Sequence, residues 1–227
     1  MTAIVSNLQA VRHAIMRAAQ AAERESADIM LLAVSKTFPA SAVREAYAAG
    51  QREFGENYVQ EALDKISALS DLEIVWHFIG PVQSNKTRPI AENFAWVHGV
   101  DRLKIAQRLS EQRPSHLPPL NICLQVNVSG EKSKSGVAPQ EVAELAREIS
   151  KLPQLKLRGL MAIPAPADDE MAQRMPFAQL RELSQAIIAQ GIALDTLSMG
   201  MSHDFAAAIQ EGATIVRIGT AIFGKRE

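Results

Sequence analysis

Two periods of apolar residues alternate along this chain. Short aliphatic-rich runs recur eight times, at Met30–Ser35, Arg52–Gly55, Ile74–Ile79, Phe94–His98, Asn121–Val126, Lys156–Ile163, Ala193–Ser198 and Thr214–Ile218. Each reads as a buried strand. The segments between them carry helical spacing. Val142, Leu145, Ala146 and Ile149 stand at i, i+3, i+4 and i+7; Val59, Leu63 and Ile66 form a second stripe, and Phe177, Leu180, Ser184 and Ile187 a third. Pro39 near the start of one such segment and Gly50 just past its end are helix boundary signals, and Asn57, Asp101 and Ser202 are expected N-caps. Ahead of the first strand, Leu8, Val11, Ile15, Ala18 and Ala22 predict one extra amphipathic helix, read as part of the mature fold and not as a signal peptide.

Strands alternating with helices imply a parallel sheet. Eight units of ~28 residues each fit a closed (β/α)8 TIM barrel better than an open doubly wound sheet. No Gly/Ser/Pro linker divides the chain, so residues 1–227 are expected to form a single domain.

Composition narrows the function. A hydrophobic share of 47% with 22% charged residues fits a soluble globular protein, and no apolar run approaches the length of a membrane span. The net charge of −1 gives no field to attract nucleic acid, and 5% aromatics weakens any base-stacking reading. The single cysteine, Cys123, rules out an internal disulfide and fits the cytoplasm. No His pairs with another His or with Cys123 at metal-ligand spacing, so no metal is expected. His77 and Cys123 read as core residues. The loop Ser129–Gly136 reads as solvated, with Lys132 and Lys134 able to meet a visiting anion. No oversized apolar face stands out, which favours a monomer.

In such a barrel, chemistry belongs at the C-terminal ends of the strands. Lys36 ends the first strand and points an amine at the mouth, where it is either a solvated strand-end lysine or, if partly buried, a nucleophile for an aldehyde. Ser198-Met199-Gly200-Met201-Ser202 and Val216-Arg217-Ile218-Gly219-Thr220 close strands seven and eight, the places where these barrels build phosphate sites. Ser202, Gly219 and Thr220 are the expected donors there, with Met201 contributing backbone. Arg217 shares a face with Gly219 and needs an acceptor, either a ligand or a strand-end carboxylate such as Glu53 or Glu56. An amine, a phosphate cradle and an arginine suit one ligand with an aldehyde, a ring nitrogen and a phosphate, as in pyridoxal 5′-phosphate (PLP).

The sequence resembles the pyridoxal phosphate homeostasis protein family of YggS type. The resemblance runs through LLAVSKTFPASAVREAYAAGQREFGENYVQEALDK, WHFIGPVQSNKTR, LQVNVSGEKSKSGV, LRGLMAIPAP, LSMGM and VRIGTAIFG. It implies an alanine-racemase-like barrel (PLP fold type III) without the racemase's β domain. It implies PLP carried as a Schiff base on Lys36, with Asn57 beside the imine and Met161 against the ring. Ser202, Gly219 and Thr220 would hold the phosphate and Arg217 would face the pyridine nitrogen. The chain departs from the family pattern at His203-Asp204, where an acidic pair is expected, and in a shorter Pro166–Leu194 segment.

An arginine leaves the ring nitrogen unprotonated, a poorer electron sink than a pyridinium. A two-base racemase also needs a group opposite the lysine. The only tyrosines are Tyr47 and Tyr58, and neither is well placed for that work. The expectation is therefore a PLP carrier or regulator in vitamin B6 homeostasis with little turnover and no catalytic residues of its own. Apo forms of PLP-dependent enzymes are its conceivable partners, with neither nucleic acid nor membrane among them. A PLP-dependent amino-acid racemase is the first alternative. A Schiff-base aldolase acting on a phosphorylated sugar is the second.

Overall fold

The computed structural model describes residues 2–130 and 135–225. Eight parallel strands close in sequence order into a barrel: β1 (Met30–Val34), β2 (Glu53–Glu56), β3 (Val75–Phe78), β4 (Trp96–Val100), β5 (Leu120–Gln125), β6 (Leu155–Met161), β7 (Thr196–Ser198) and β8 (Ile215–Ile218). β8 returns to β1 with Arg217 opposite Leu32, which completes the ring. Each predicted apolar run overlaps one strand, with ends that differ by one or two residues in most cases. The seventh is the most shortened, because only three residues of Ala193–Ser198 enter the ladder.

Helices cover the outside. α1 (Ala3–Ala21) precedes the barrel as expected and buries Leu8, Val11, Ile15 and Ala19. It is followed by α2 (Ala40–Ala48), α3 (Val59–Ala68), α4 (Thr87–Asn93), α5 (Leu103–Gln112), α6 (Val142–Ile149), α7 (Glu170–Ala189), α8 (Phe205–Gln210) and α9 (Thr220–Phe223). The third predicted stripe is realised in full, since α7 buries Phe177, Leu180, Ser184 and Ile187. The expected N-caps do not hold. Asn57, Asp101 and Ser202 each lie one or two residues ahead of the capping positions Tyr58, Arg102 and Asp204, which make no side-chain cap bond. Asp169 does cap α7, accepting from the Met171 and Ala172 N–H groups.

Strand alternation creates two cores. Outward residues such as Ala33, Phe54, Phe78, Val97, Ile122 and Leu160 pack under the helices. Inward residues Leu32, Val34, Ile79, Trp96, Cys123, Met161 and Ile215 form a separate apolar cluster inside the barrel. The same inward register also carries Glu53, His77, His98, Ser198 and Arg217, so polar groups share the interior. Cys123 is fully buried and its thiol is pushed up to about 12 by burial, in keeping with a packing role. Among the described residues, no helix is long and apolar enough to cross a membrane.

Candidate functional site

A cavity of about 210 Å³ opens at the C-terminal mouth of the barrel. It is lined by Val34, Lys36, Phe38, Asn57, Ile79 and Ile163, and by Met201, Ser202, His203, Arg217, Gly219 and Thr220. Four separate strand ends therefore deliver polar groups to one place.

The turn after β1 brings in Lys36. The Phe38 N–H donates to the Ser35 carbonyl at 3.1 Å, closing a tight turn with Lys36 and Thr37 at its centre. Thr37 sits at φ +70°, a costly conformation for a β-branched residue. It is held there because its N–H donates to Glu61 Oε1 at 2.6 Å. The same carboxylate accepts from Lys65 Nζ at 2.6 Å. Lys65 also donates to the Ser35 carbonyl and to Glu56 Oε1, each at 2.7 Å, and Ser35 Oγ donates to Glu56 Oε1 at 2.6 Å. Lys65 and Glu56 are buried, and burial raises the Glu56 carboxyl above its ordinary 4.5 despite those hydrogen bonds. A buried ion cluster thus fixes both sides of the turn that presents Lys36.

Two loops face this turn. Gly200 adopts φ +92°, and a Cβ there would lie 2.6 Å from the Ala208 Cβ, so the Gly200–Ser202 loop can hug α8 only with glycine. Asp204 Oδ1 accepts from the Met201 N–H at 2.6 Å and pins the loop. Gly219 precedes α9, whose first turn starts at Thr220. The opening N–H groups of a helix have no intrahelical acceptor, which suits an anion.

Arg217 is 4% exposed, yet it reaches the cavity wall. Its Nη1 donates to the Ser198 carbonyl at 2.5 Å and to Ser198 Oγ at 2.9 Å, and its Nη2 donates to the Ala162 carbonyl at 2.9 Å. The strand-end carboxylate expected as its alternative partner is absent. Glu53 binds His77, and Glu56 binds Ser35 and Lys65. Burial lowers the guanidinium to about 10, so it stays cationic at neutral pH.

This barrel with a lysine at its mouth has known relatives. The family described as alanine racemase, N-terminal domain, matches residues 6–227. The chain belongs to that family. It is 64% identical over 227 residues to the pyridoxal phosphate homeostasis protein of Pseudomonas aeruginosa, covering 100% of this chain and 97% of that one. It is 53% identical over 230 residues to the protein of the same name in Escherichia coli K12, covering 100% and 98%. The solved structure of PipY from Synechococcus elongatus with PLP bound superimposes with a TM-score of 0.85 at 38% identity, covering 97% of this chain and 100% of that one.

Of the residues expected at a family site, the structure brings Lys36, Asn57, Met201, Ser202, Arg217, Gly219 and Thr220 to the cavity. Met161 is not on its wall. It is fully buried below, in the cluster that includes Val34 and Ile79, which do line the cavity. Met161 ends β6 on the inward face, and Ile163, two residues further on and 38% exposed, lines the cavity. Neither tyrosine lines the cavity. Tyr47 lies under the Arg52 guanidinium at 3.9 Å, and Tyr58 is 55% exposed ahead of α3. His203 does line it, and Phe38 adds an aromatic edge stacked on Phe223 at 5.2 Å. Lys65 and Glu61 went unread in the sequence, although their i, i+4 spacing is visible there. Lys132 and Lys134 lie outside the described residues. Among the described residues, no group of three or more His, Cys, Asp and Glu side chains could hold a metal ion.

Proposed function

We propose that this chain binds PLP at the barrel mouth and serves vitamin B6 homeostasis as a carrier, handing the cofactor to apo enzymes with little turnover of its own. The observation that carries this reading is the convergence of Lys36, Asn57, Arg217 and the two glycine loops on one cavity. The residues fit the cofactor. Asn57 Oδ1 is buried without a hydrogen-bond partner among the described residues, beside a cavity that offers room for a donor. The relatives are named for the same role, and PipY has been solved with PLP.

When bound, PLP supplies an electrophilic aldehyde joined to a conjugated ring. The protein's own contribution is positional. The cluster of Lys65, Glu56 and Glu61 holds the turn from which Lys36 reaches the aldehyde. Ser202, Gly219 and Thr220 are the phosphate donors; the Met201 backbone, expected to help, has its N–H committed to Asp204 and shapes the loop instead. Arg217 keeps its charge and gives the ring nitrogen a donor that does not surrender its proton, which restrains carbanion chemistry. The hydrophobic walls Val34, Ile79 and Ile163 limit water around the ring.

Absorption spectra of the purified protein with added PLP test the reading. A visible band is expected, absent in Lys36→Ala and discharged on adding an apo enzyme; borohydride should abolish it while fixing the cofactor to the Lys36 peptide. A protein that stays colourless but cleaves phosphorylated sugars would be an aldolase. Racemisation of amino acids by the pure protein, abolished in Lys36→Ala, would replace the carrier with an enzyme.

A further inference from the structure

The barrel interior contains a continuous line of polar side chains that the cavity alone does not explain. Arg217 Nη1 meets Ser198 Oγ at 2.9 Å, and Ser198 Oγ meets His98 Nδ1 at 2.7 Å. His98 Nε2 meets His77 Nδ1 at 2.9 Å, and His77 Nε2 meets Glu53 Oε2 at 2.7 Å. The line starts on β8 at the mouth and ends at the first residue of β2, at the opposite end of the barrel. The two histidines, Ser198 and Arg217 are all buried, whereas the Glu53 side chain is 24% exposed.

The two ends fix its direction. A guanidinium only donates and a carboxylate only accepts. Arg217 therefore donates to Ser198 Oγ, and the Ser198 hydroxyl donates to His98 Nδ1. His98 Nε2–H donates to His77 Nδ1, and His77 Nε2–H donates to Glu53. Ser198, His98 and His77 then each make one bond of each kind along the line, with both histidines neutral and protonated at Nε2. Stacking of His77 on Trp96, with ring centroids 5.4 Å apart and planes 6° apart, holds the ring in line.

We propose that Glu53 is a remote positioning residue for the mouth: through His77, His98 and Ser198 it fixes the Ser198 hydroxyl as a donor to His98, and the hydroxyl polarised in this way is the stronger acceptor for the Arg217 guanidinium. Without the acceptor at Glu53, the histidines can adopt the opposite tautomer. His98 Nδ1–H would then point at Ser198, and the hydroxyl hydrogen would be driven away from it. Burial holds both histidines below their ordinary 6.5, and the Arg217 charge adds to this at His98. That agrees with two neutral rings in sequence. The effect on bound cofactor rests on the function proposed above; the tautomer pattern does not.

The test separates the two. Histidine-selective 15N spectra of the ligand-free protein should show Nε2–H tautomers at His77 and His98. Glu53→Leu should change the His98 pattern across the intervening ring, and Glu53→Gln, whose amide oxygen still accepts, should restore it. Loaded with PLP, Glu53→Leu should shift the visible maximum and weaken retention roughly 2- to 10-fold, the effect of one misdirected hydrogen bond, with Glu53→Gln near wild type. An Nδ1–H or doubly protonated ring in the wild type overturns the proposal, as does a His98 signal indifferent to Glu53→Leu. An unshifted band and unchanged retention in Glu53→Leu overturn it as well. If the wild type takes up no PLP, the function proposed above fails, and the spectra of ligand-free protein still decide the column.

Discussion

Replacing Lys65 by methionine probes what holds the Lys36 turn in place. Met matches much of the aliphatic stem but removes three hydrogen bonds, to the Ser35 carbonyl, Glu56 Oε1 and Glu61 Oε1. Glu61 is part-exposed and can turn to water, whereas Glu56 is fully buried and cannot. Removing one partner of a buried ion pair costs about 3–5 kcal/mol, because the other is left buried with its charge uncompensated. For a chain of this size, that lowers the unfolding midpoint by roughly 6–20 °C at pH 7. The pH dependence has a definite sign. Glu56 has a folded value above 4.5 in the wild type, and losing Lys65 raises it further. Its penalty is therefore absent below 4.5 and grows as pH rises through the folded value. The Lys65→Met deficit should shrink from pH 7 toward pH 4.5, and adding Glu56→Gln should recover much of it at pH 7. Thermal unfolding followed by circular dichroism across that range measures all three. A midpoint loss that is small at pH 7, or that deepens on acidification, would refute the claim that Glu56 is kept ionised by Lys65.

Two further outcomes are expected. Gly80→Ala should weaken cofactor retention and cost about 1–3 kcal/mol, because its Cβ would lie 2.4 Å from the Asn57 carbonyl oxygen and push the backbone at the cavity wall; equal retention and equal urea midpoints would count against this. His77 and His98 titrate below their ordinary 6.5 in the folded chain, so the folded state binds fewer protons than the unfolded one, and the stability they contribute falls as pH drops below about 6.5. Urea unfolding between pH 7 and pH 5 should show a steeper loss for the wild type than for His98→Gln, and parallel profiles would contradict it.

The barrel was legible because its strands are buried on both faces and its helices on one, a difference that hydrophobic period reports directly. The mouth residues were legible because strand ends and the loops after the last two strands are fixed places in this architecture. The rest turns on contacts between positions far apart in the chain. Lys65 meets Ser35 across 30 residues and His98 meets Ser198 across 100. Alternation places His77 and His98 on the inner face, but only closure of the ring makes them neighbours. Met161 is the intermediate case. Its strand and inward face follow from alternation, and it packs beside Val34 and Ile79, two residues of the cavity wall.

The polar file inside the barrel also has an evolutionary consequence. Its five members come from β2, β3, β4, β7 and β8, and the two buried histidines are satisfied only by their neighbours in the file. An apolar replacement at Ser198, His98 or His77 strands a buried partner, so substitutions there are tolerated in concert or hardly at all. Descendants of this chain should drift freely on the helical exterior while these three positions change as a single inherited unit.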